Sequence, residues 1–263
     1  MSRTNLDRRA LLRSGVLGAS ALALGGCKIF DDATRQGSAM RNVFESAGEL
    51  TYRAQRLLGG KQSLAREYSR DDILQSQHPN GSVFPESAEY QALMRNDFRD
   101  FELAVSGLVD NPLILSRETL LAMPARTQIT RHDCVEGWSC IAEWTGVPLG
   151  LVLDEARPRA NARYVVFHCH DAIERSLAGP VYYYESIDMI DAHHPQTILA
   201  YGLNGAPLPV PNGAPLRVRV ERQLGYKMAK YIHKIELVES FAELGNGKGS
   251  YWADRGYEWY AGI

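Results

Sequence analysis

Between residues 101 and 238 the apolar residues come in short runs separated by glycine and proline turns. That punctuation constrains the fold more than any other feature. A long βαβ array needs crossovers of a dozen or more residues between parallel strands, and few stretches here offer one. Residues 101–108 (FELAVSGL), 128–133, 164–168 (YVVFH), 182–186, 197–203, 216–220 (LRVRV) and 232–238 are predicted as strands from alternation or apolar runs. Asn111-Pro112 makes a turn, and residues 113–115 continue extended. Short helices are predicted after Ser116, which is a suitable N-cap, over 147–155 and over 186–191. Turns fall at Asn204-Gly205 and Asn212-Gly213. No repeat of fixed period and no internal linker occurs in this stretch. The expectation is one α+β domain, a mixed sheet with many short strands and helices, over residues 71–263.

A chain of 263 residues with 45% hydrophobic residues can bury a sizeable core. A net charge of −2 without a long run of one sign excludes the electrostatic footprint of a nucleic-acid binder, so no such partner is expected. Residues 1–27 read as an export signal and not as fold. A basic start with Arg8-Arg9 precedes an apolar run over 15–24, which ends in Leu24-Gly25-Gly26-Cys27. DRRALLR resembles a twin-arginine signal, and LGGC resembles a lipobox that would acylate Cys27. Periplasmic localisation, with a possible lipid anchor on Cys27, is the expectation. Residues 28–70 then read as a tether followed by an amphipathic helix, with apolar positions Val43, Ala47, Leu50, Ala54, Leu57 and Leu58, that packs on the main body before Gly59-Gly60 ends it.

The chemistry concentrates at Cys134, in THR-like surroundings that run Arg131-His132-Asp133-Cys134-Val135-Glu136-Gly137-Trp138. A nearby cation favours the thiolate, and a thiolate is a soft ligand for a redox metal. On these residues alone, a buried core cysteine is the ordinary reading of Cys134. Other readings stay open beside it. Export permits a Cys140–Cys169 disulfide. His132, Asp133, Cys134, His168, Cys169, His170, His193 and His194 are zinc-ligand types, although no standard zinc spacing links them. His193 and His194 otherwise read as solvated loop residues. Asp133 and Glu136 could do acid–base work or hold a backbone donor. Trp138 and Trp144 read as core anchors, and the aromatic tail 251–263 as a strap across the body or a docking surface.

The segment DCVEGWSCIAEWTGVPL resembles the metal-binding segment of the sulfite oxidase family of molybdopterin enzymes. Within that family it is most similar to the branch of periplasmic protein-methionine-sulfoxide reductase catalytic subunits. Val135, Glu136 and Gly137 stand where sulfite oxidases proper carry a different pattern, which points away from sulfite. The resemblance makes Cys134 the molybdenum ligand and the catalytic residue. Two further blocks carry it: LNGAPLPVPNGAPLR, with Asn212 and Arg217, and LGYKMAKYI, with Met228, Ala229 and Lys230. The resemblance assigns these five to the pterin and its phosphate. An arginine fork and a lysine suit phosphate oxygens. Cys169 stands where the reductase branch tends to carry a threonine near the pterin. Asn80, in HPNGSVF, matches an asparagine that precedes aromatic cofactor contacts.

The implied cofactor is molybdenum-molybdopterin. The implied reaction is oxygen-atom or two-electron transfer on a small or protein-bound S- or N-oxide such as methionine sulfoxide. The alternatives are a sulfite oxidase-like dehydrogenase and a non-catalytic binding protein that keeps the fold. No Cys-x-x-Cys-His haem motif occurs, so electrons need a partner, and the resemblance implies a membrane b-type cytochrome. No counterpart of the immunoglobulin-like domain of longer members is seen, so a monomer is expected.

Overall fold

The computed structural model describes residues 38–263 except 59, 61, 62, 75, 76 and 178. The export signal (1–27) and the start of the tether (28–37) lie outside the described residues. Among the described residues, those up to Arg53 belong to one unit and residues 54–263 to another. The described part of the first is a stretch of helix α1 (Ala39–Leu58), whose last turn belongs to the second. In that turn Leu57 is 83% exposed, so the expected apolar packing is not what holds the helix end. Arg56 holds it instead, bonded to Asp191 at 2.9 and 2.8 Å and to Asp188 at 2.8 Å.

The larger unit contains two five-stranded sheets. The first has the order β2 (Leu113–Ser116), β1 (Glu102–Gly107), β10 (Ile232–Val238), β5 (Tyr164–Ser176), β6 (Gly179–Asp188). β1 and β10 run parallel, and the other neighbours in this sheet are antiparallel. The second sheet has the order β3 (Arg126–Asp133), β4 (Ser139–Pro148), β7 (Ile198–Leu203), β8 (Ala206–Pro207), with β9 (Arg217–Arg219) also on β7. The mixed α+β architecture agrees with the sequence. Leu103, Val105, Val147, Val152, Val165, Phe167, Leu199, Val218, Ile235 and Leu237 meet in one core, and Ala142, Trp144, Ile198, Ala200, Leu203 and Leu208 form a smaller one. Helices α2 (Ala88–Arg95), α3 (Arg117–Ala122), α4 (Leu149–Ala156) and α5 (Met189–Ala192) are short. Ser116 caps α3 by accepting from Thr119 N, as its sequence implies.

The structure corrects the sequence reading in several places. β4 and α2 were not anticipated. β5 extends to Ser176, well past His168. Residues 147–148 and 186–188 end strands and do not begin helices. His194 is buried, with Nε2 3.0 Å from Ser63 O, and is not a solvated loop residue.

Candidate cofactor site

β3 and β4 form a hairpin in which Asp133 pairs with Ser139, which leaves residues 134–138 as its tip. Cys134 N donates to Trp138 O (2.9 Å) and Gly137 N to Cys134 O (3.1 Å), closing a tight turn. Gly137 takes φ +89°, a conformation open to glycine at little cost. The turn therefore presents the Cys134 thiol at a fixed point, half-buried and facing a cavity of about 170 Å³. Asn80, Met228 and Lys230 line the same cavity, together with Ser82, Glu136 and Asp171.

The cation expected beside the thiol acts elsewhere. Arg131 is paired with Asp133 (2.9 Å), and the His132 ring accepts at Nδ1 from Arg219 (2.8 Å) while stacking on Trp138. Burial therefore dominates and pushes the Cys134 thiol up, with the Glu136 carboxylate adding to it; backbone N–H groups of Glu136 and Val135 oppose. A bound metal ion would displace the thiol proton outright. Burial and the Arg219 charge hold His132 well below the usual imidazole range, so it is neutral. Glu136 accepts from Trp138 Nε1 (2.8 Å), and Asp133 from Ser139 Oγ (2.6 Å) as well as from Arg131, so Asp133 is held as a structural acceptor.

β9 supplies the second half of the site. Its alternation sends Val218 into the core and Arg217 and Arg219 to the other face, where both guanidinium groups lie over the Trp144 ring at 5.0 and 4.3 Å. The two arginines then differ. Arg219 makes a two-pronged ion pair with Glu221 (2.9 and 2.8 Å). Arg217, only 1% exposed, meets the Asn212 carbonyl (2.9 Å), the Met228 carbonyl (3.2 Å) and Asn80 Oδ1 (3.3 Å), and its Nε has no partner. Lys230, 4% exposed, donates to the Ser82 and Pro211 carbonyls, the latter at 2.9 Å. Among the described residues neither forms an ion pair. Burial, aided by their like-charged neighbours, pushes Arg217 down to about 9 and Lys230 down to about 7. Two buried cations without a counter-charge are costly unless an anion joins them. These residues thus fit a cofactor with a phosphate at one end and a thiolate-bound metal at the other.

The Asn212-Gly213 turn makes this approach possible. Gly213 sits at φ +114°, and a Cβ there would lie 3.0 Å from the Lys230 side chain and 3.2 Å from Arg217 Cβ. Any larger residue would be strained and would part the two cations.

The sequence-derived site residues thus divide three ways. Cys134, Asn80, Met228 and Lys230 share the cavity, and Asn80, Asn212 and Arg217 share a narrow recess with His132, Cys140 and Trp144. Ala229 lies in the main core, its carbonyl accepting from Val218 N (3.0 Å), and lines neither space. Cys169 is likewise in that core and borders a different cavity, of about 540 Å³, with His168, His170 and His233. Cys134, Cys140 and Cys169 are all free thiols, so no Cys140–Cys169 bridge forms. Among the described residues no cluster of three or more His, Cys, Asp or Glu could hold a metal, which removes the zinc reading there.

Two residues were missed. Ser82 accepts at its carbonyl from Lys230 and Tyr231 (3.1 Å for the latter), and its hydroxyl donates to Asp171 Oδ2 (2.7 Å). Asp171 is buried, its Oδ1 has no partner, and burial pushes its carboxyl up. An aspartate three residues past the apolar run 164–168 was the available signal.

A hairpin-tip thiol facing a cavity with the buried Lys230, next to a recess with the buried Arg217, suits a cofactor that carries both a soft metal and a phosphate. The family described as oxidoreductase molybdopterin binding domain matches residues 90–243, and the chain belongs to it. It is 36% identical over 258 residues, 97% of this chain and 87% of the relative, to an Azospira oryzae subunit named YedZ1 and ascribed to a protein-methionine-sulfoxide reductase. It is 31% identical over 242 residues to the protein-methionine-sulfoxide reductase catalytic subunit MsrP of Ralstonia nicotianae, covering 89% of this chain and 69% of the relative. Against the Xanthomonas campestris MsrP it is 42% identical over 151 residues, 54% of this chain and 46% of the relative. The chain is a molybdopterin-dependent oxidoreductase, and its cofactor is molybdenum-molybdopterin.

Proposed function

We propose that the chain is exported by the twin-arginine route, anchored through a lipid on Cys27, and reduces methionine sulfoxide in periplasmic proteins with electrons from a membrane b-type cytochrome. The names of its relatives support the substrate, and the motifs in residues 1–27 support the route. The observation that carries the site assignment is the single cavity that joins Cys134 and Asn80 to the unpaired Lys230.

When bound, the cofactor supplies two-electron and oxygen-atom transfer chemistry. Cys134 holds its metal. Arg217 and Lys230 hold its anionic end, and Asn80 Oδ1 orients the Arg217 fork. Overall, the sulfoxide takes two electrons and two protons to give a thioether and water. Asp171, fixed by Ser82 and raised by burial, can hold a proton at Oδ1 on the cavity wall.

The test assays cofactor-loaded protein twice, with a methionine-sulfoxide protein and a reduced one-electron dye as donor, and with sulfite and the oxidised dye as acceptor. Turnover is expected with a methionine-sulfoxide protein and not with sulfite as donor, and Cys134→Ser should abolish it while leaving the fold intact. Full turnover by that variant would end the assignment of Cys134, and sulfite oxidation would end that of the substrate.

A further inference from the structure

The aromatic tail lies beyond the stretch that matches the family, which ends at residue 243. Two of its rings, Trp252 and Tyr257, nevertheless line the cavity that holds Cys134. They form a continuous aromatic row with Tyr226: Tyr226 meets Tyr257 edge-on at 5.4 Å, and Tyr257 meets Trp252 at 5.1 Å. Val135, Ile173 and Met228 are the apolar non-aromatic side chains that line the same cavity. Tyr257 is 41% and Val135 46% exposed, so this side is the mouth of the cavity.

The row is held on both sides. Before it, Tyr251 OH donates to Glu174 (2.6 Å) and Tyr251 N to Tyr184 O (3.0 Å); between its two rings, Arg255 pairs with Glu174 (2.7 Å). After it, Trp259 Nε1 donates to Ser186 Oγ (2.8 Å), Tyr226 OH to Glu258 O (2.7 Å), and Leu224 N to Ala261 O (2.9 Å). Rings fixed in this way can be selective, because little entropy is lost on contact.

We propose that Trp252 and Tyr257 are specificity-determining residues that receive the methylsulfinyl end of a methionine sulfoxide carried on a polypeptide. This inference rests on, and deepens, the reading given under Proposed function. The lining combines the exposed Tyr257 and Val135, beside the exposed Glu136, with the buried polar Asp171 and Lys230. Sulfur and its methyl group favour aromatic surfaces, while a sulfoxide oxygen favours polar groups. A methionine side chain is unbranched and long, so it can enter an open mouth while its backbone stays outside.

Binding and turnover separate the two claims. A fluorescently labelled peptide with one methionine sulfoxide is titrated into cofactor-loaded parent, Trp252→Ala, Tyr257→Ala and the Phe variants of both, with molybdenum per chain measured throughout. Each alanine variant should bind about tenfold more weakly, the upper range for a sulfur–aromatic contact, with the Phe variants near the parent and metal content unchanged. Alanine variants that bind as tightly as the parent, or Phe variants that fail as badly as alanine, would overturn the proposal. A parent that binds the peptide but does not reduce it supports the aromatic wall and overturns only the proposed function. A parent that does not bind it overturns both.

Discussion

Lys230 shows how one residue records a missing partner. Its ammonium lies among carbonyls and beside the Arg217 charge, and burial takes it from its ordinary 10.5 down to about 7. In the cofactor-free protein its charged form therefore costs stability. Below about pH 7 both folded and unfolded chains hold the proton and the cost is full. From about 7 to 10.5 the unfolded chain keeps a proton that the folded chain has lost, so stability rises with pH. Denaturant unfolding of cofactor-free protein at pH 6 and pH 9 should show the parent gaining on Lys230→Met as pH rises. An equal gap at both pH values would show that Lys230 carries no buried charge. Loading the cofactor should remove the pH trend, because an anion then compensates the charge. The lysine itself was legible from its motif. Its acceptor Ser82, and the Asp171 that Ser82 bonds in turn, were not, because they come from a loop and a strand distant in sequence and joined only by folding.

At the scale of elements, LRVRV was legible as a strand, but its burial was not. Strict alternation implies one wet face, yet Arg217 and Arg219 are as buried as Val218 because Trp144 of β4 covers them. β4 itself was hidden: SCIAEWTGVP carries the resemblance to the metal-binding segment, but it mixes polar and apolar residues without clean alternation because both of its faces are covered. Gly146 marks its close approach to β7, at a register shift between Thr145 and Gly146. A Cβ there would lie 2.1 Å from Leu199 O and 2.6 Å from Ala200 Cα. Gly146→Ala must push β4 and β7 apart, and thermal or denaturant unfolding should show a loss of on the order of 1–3 kcal/mol. Unchanged stability would mean that the two strands have slack which their pairing does not suggest.

For the whole molecule, the site draws on both sheets: Cys134 from the β3–β4 hairpin of one, Asp171 from β5 and Lys230 from the approach to β10 of the other. Neither sheet holds all of it, which is why three motifs far apart in sequence carried the signal jointly. The class of fold and the thiol and cation positions were legible in those motifs. The places of Cys169 and Ala229 were not, since strand register and core packing decide which way a residue faces. X-ray absorption at the molybdenum edge of loaded parent and Cys134→Ser decides whether the Cys134 sulfur is bonded to molybdenum. The variant should retain molybdenum but lose one sulfur from its coordination shell; identical sulfur shells in the two proteins would rule that bond out.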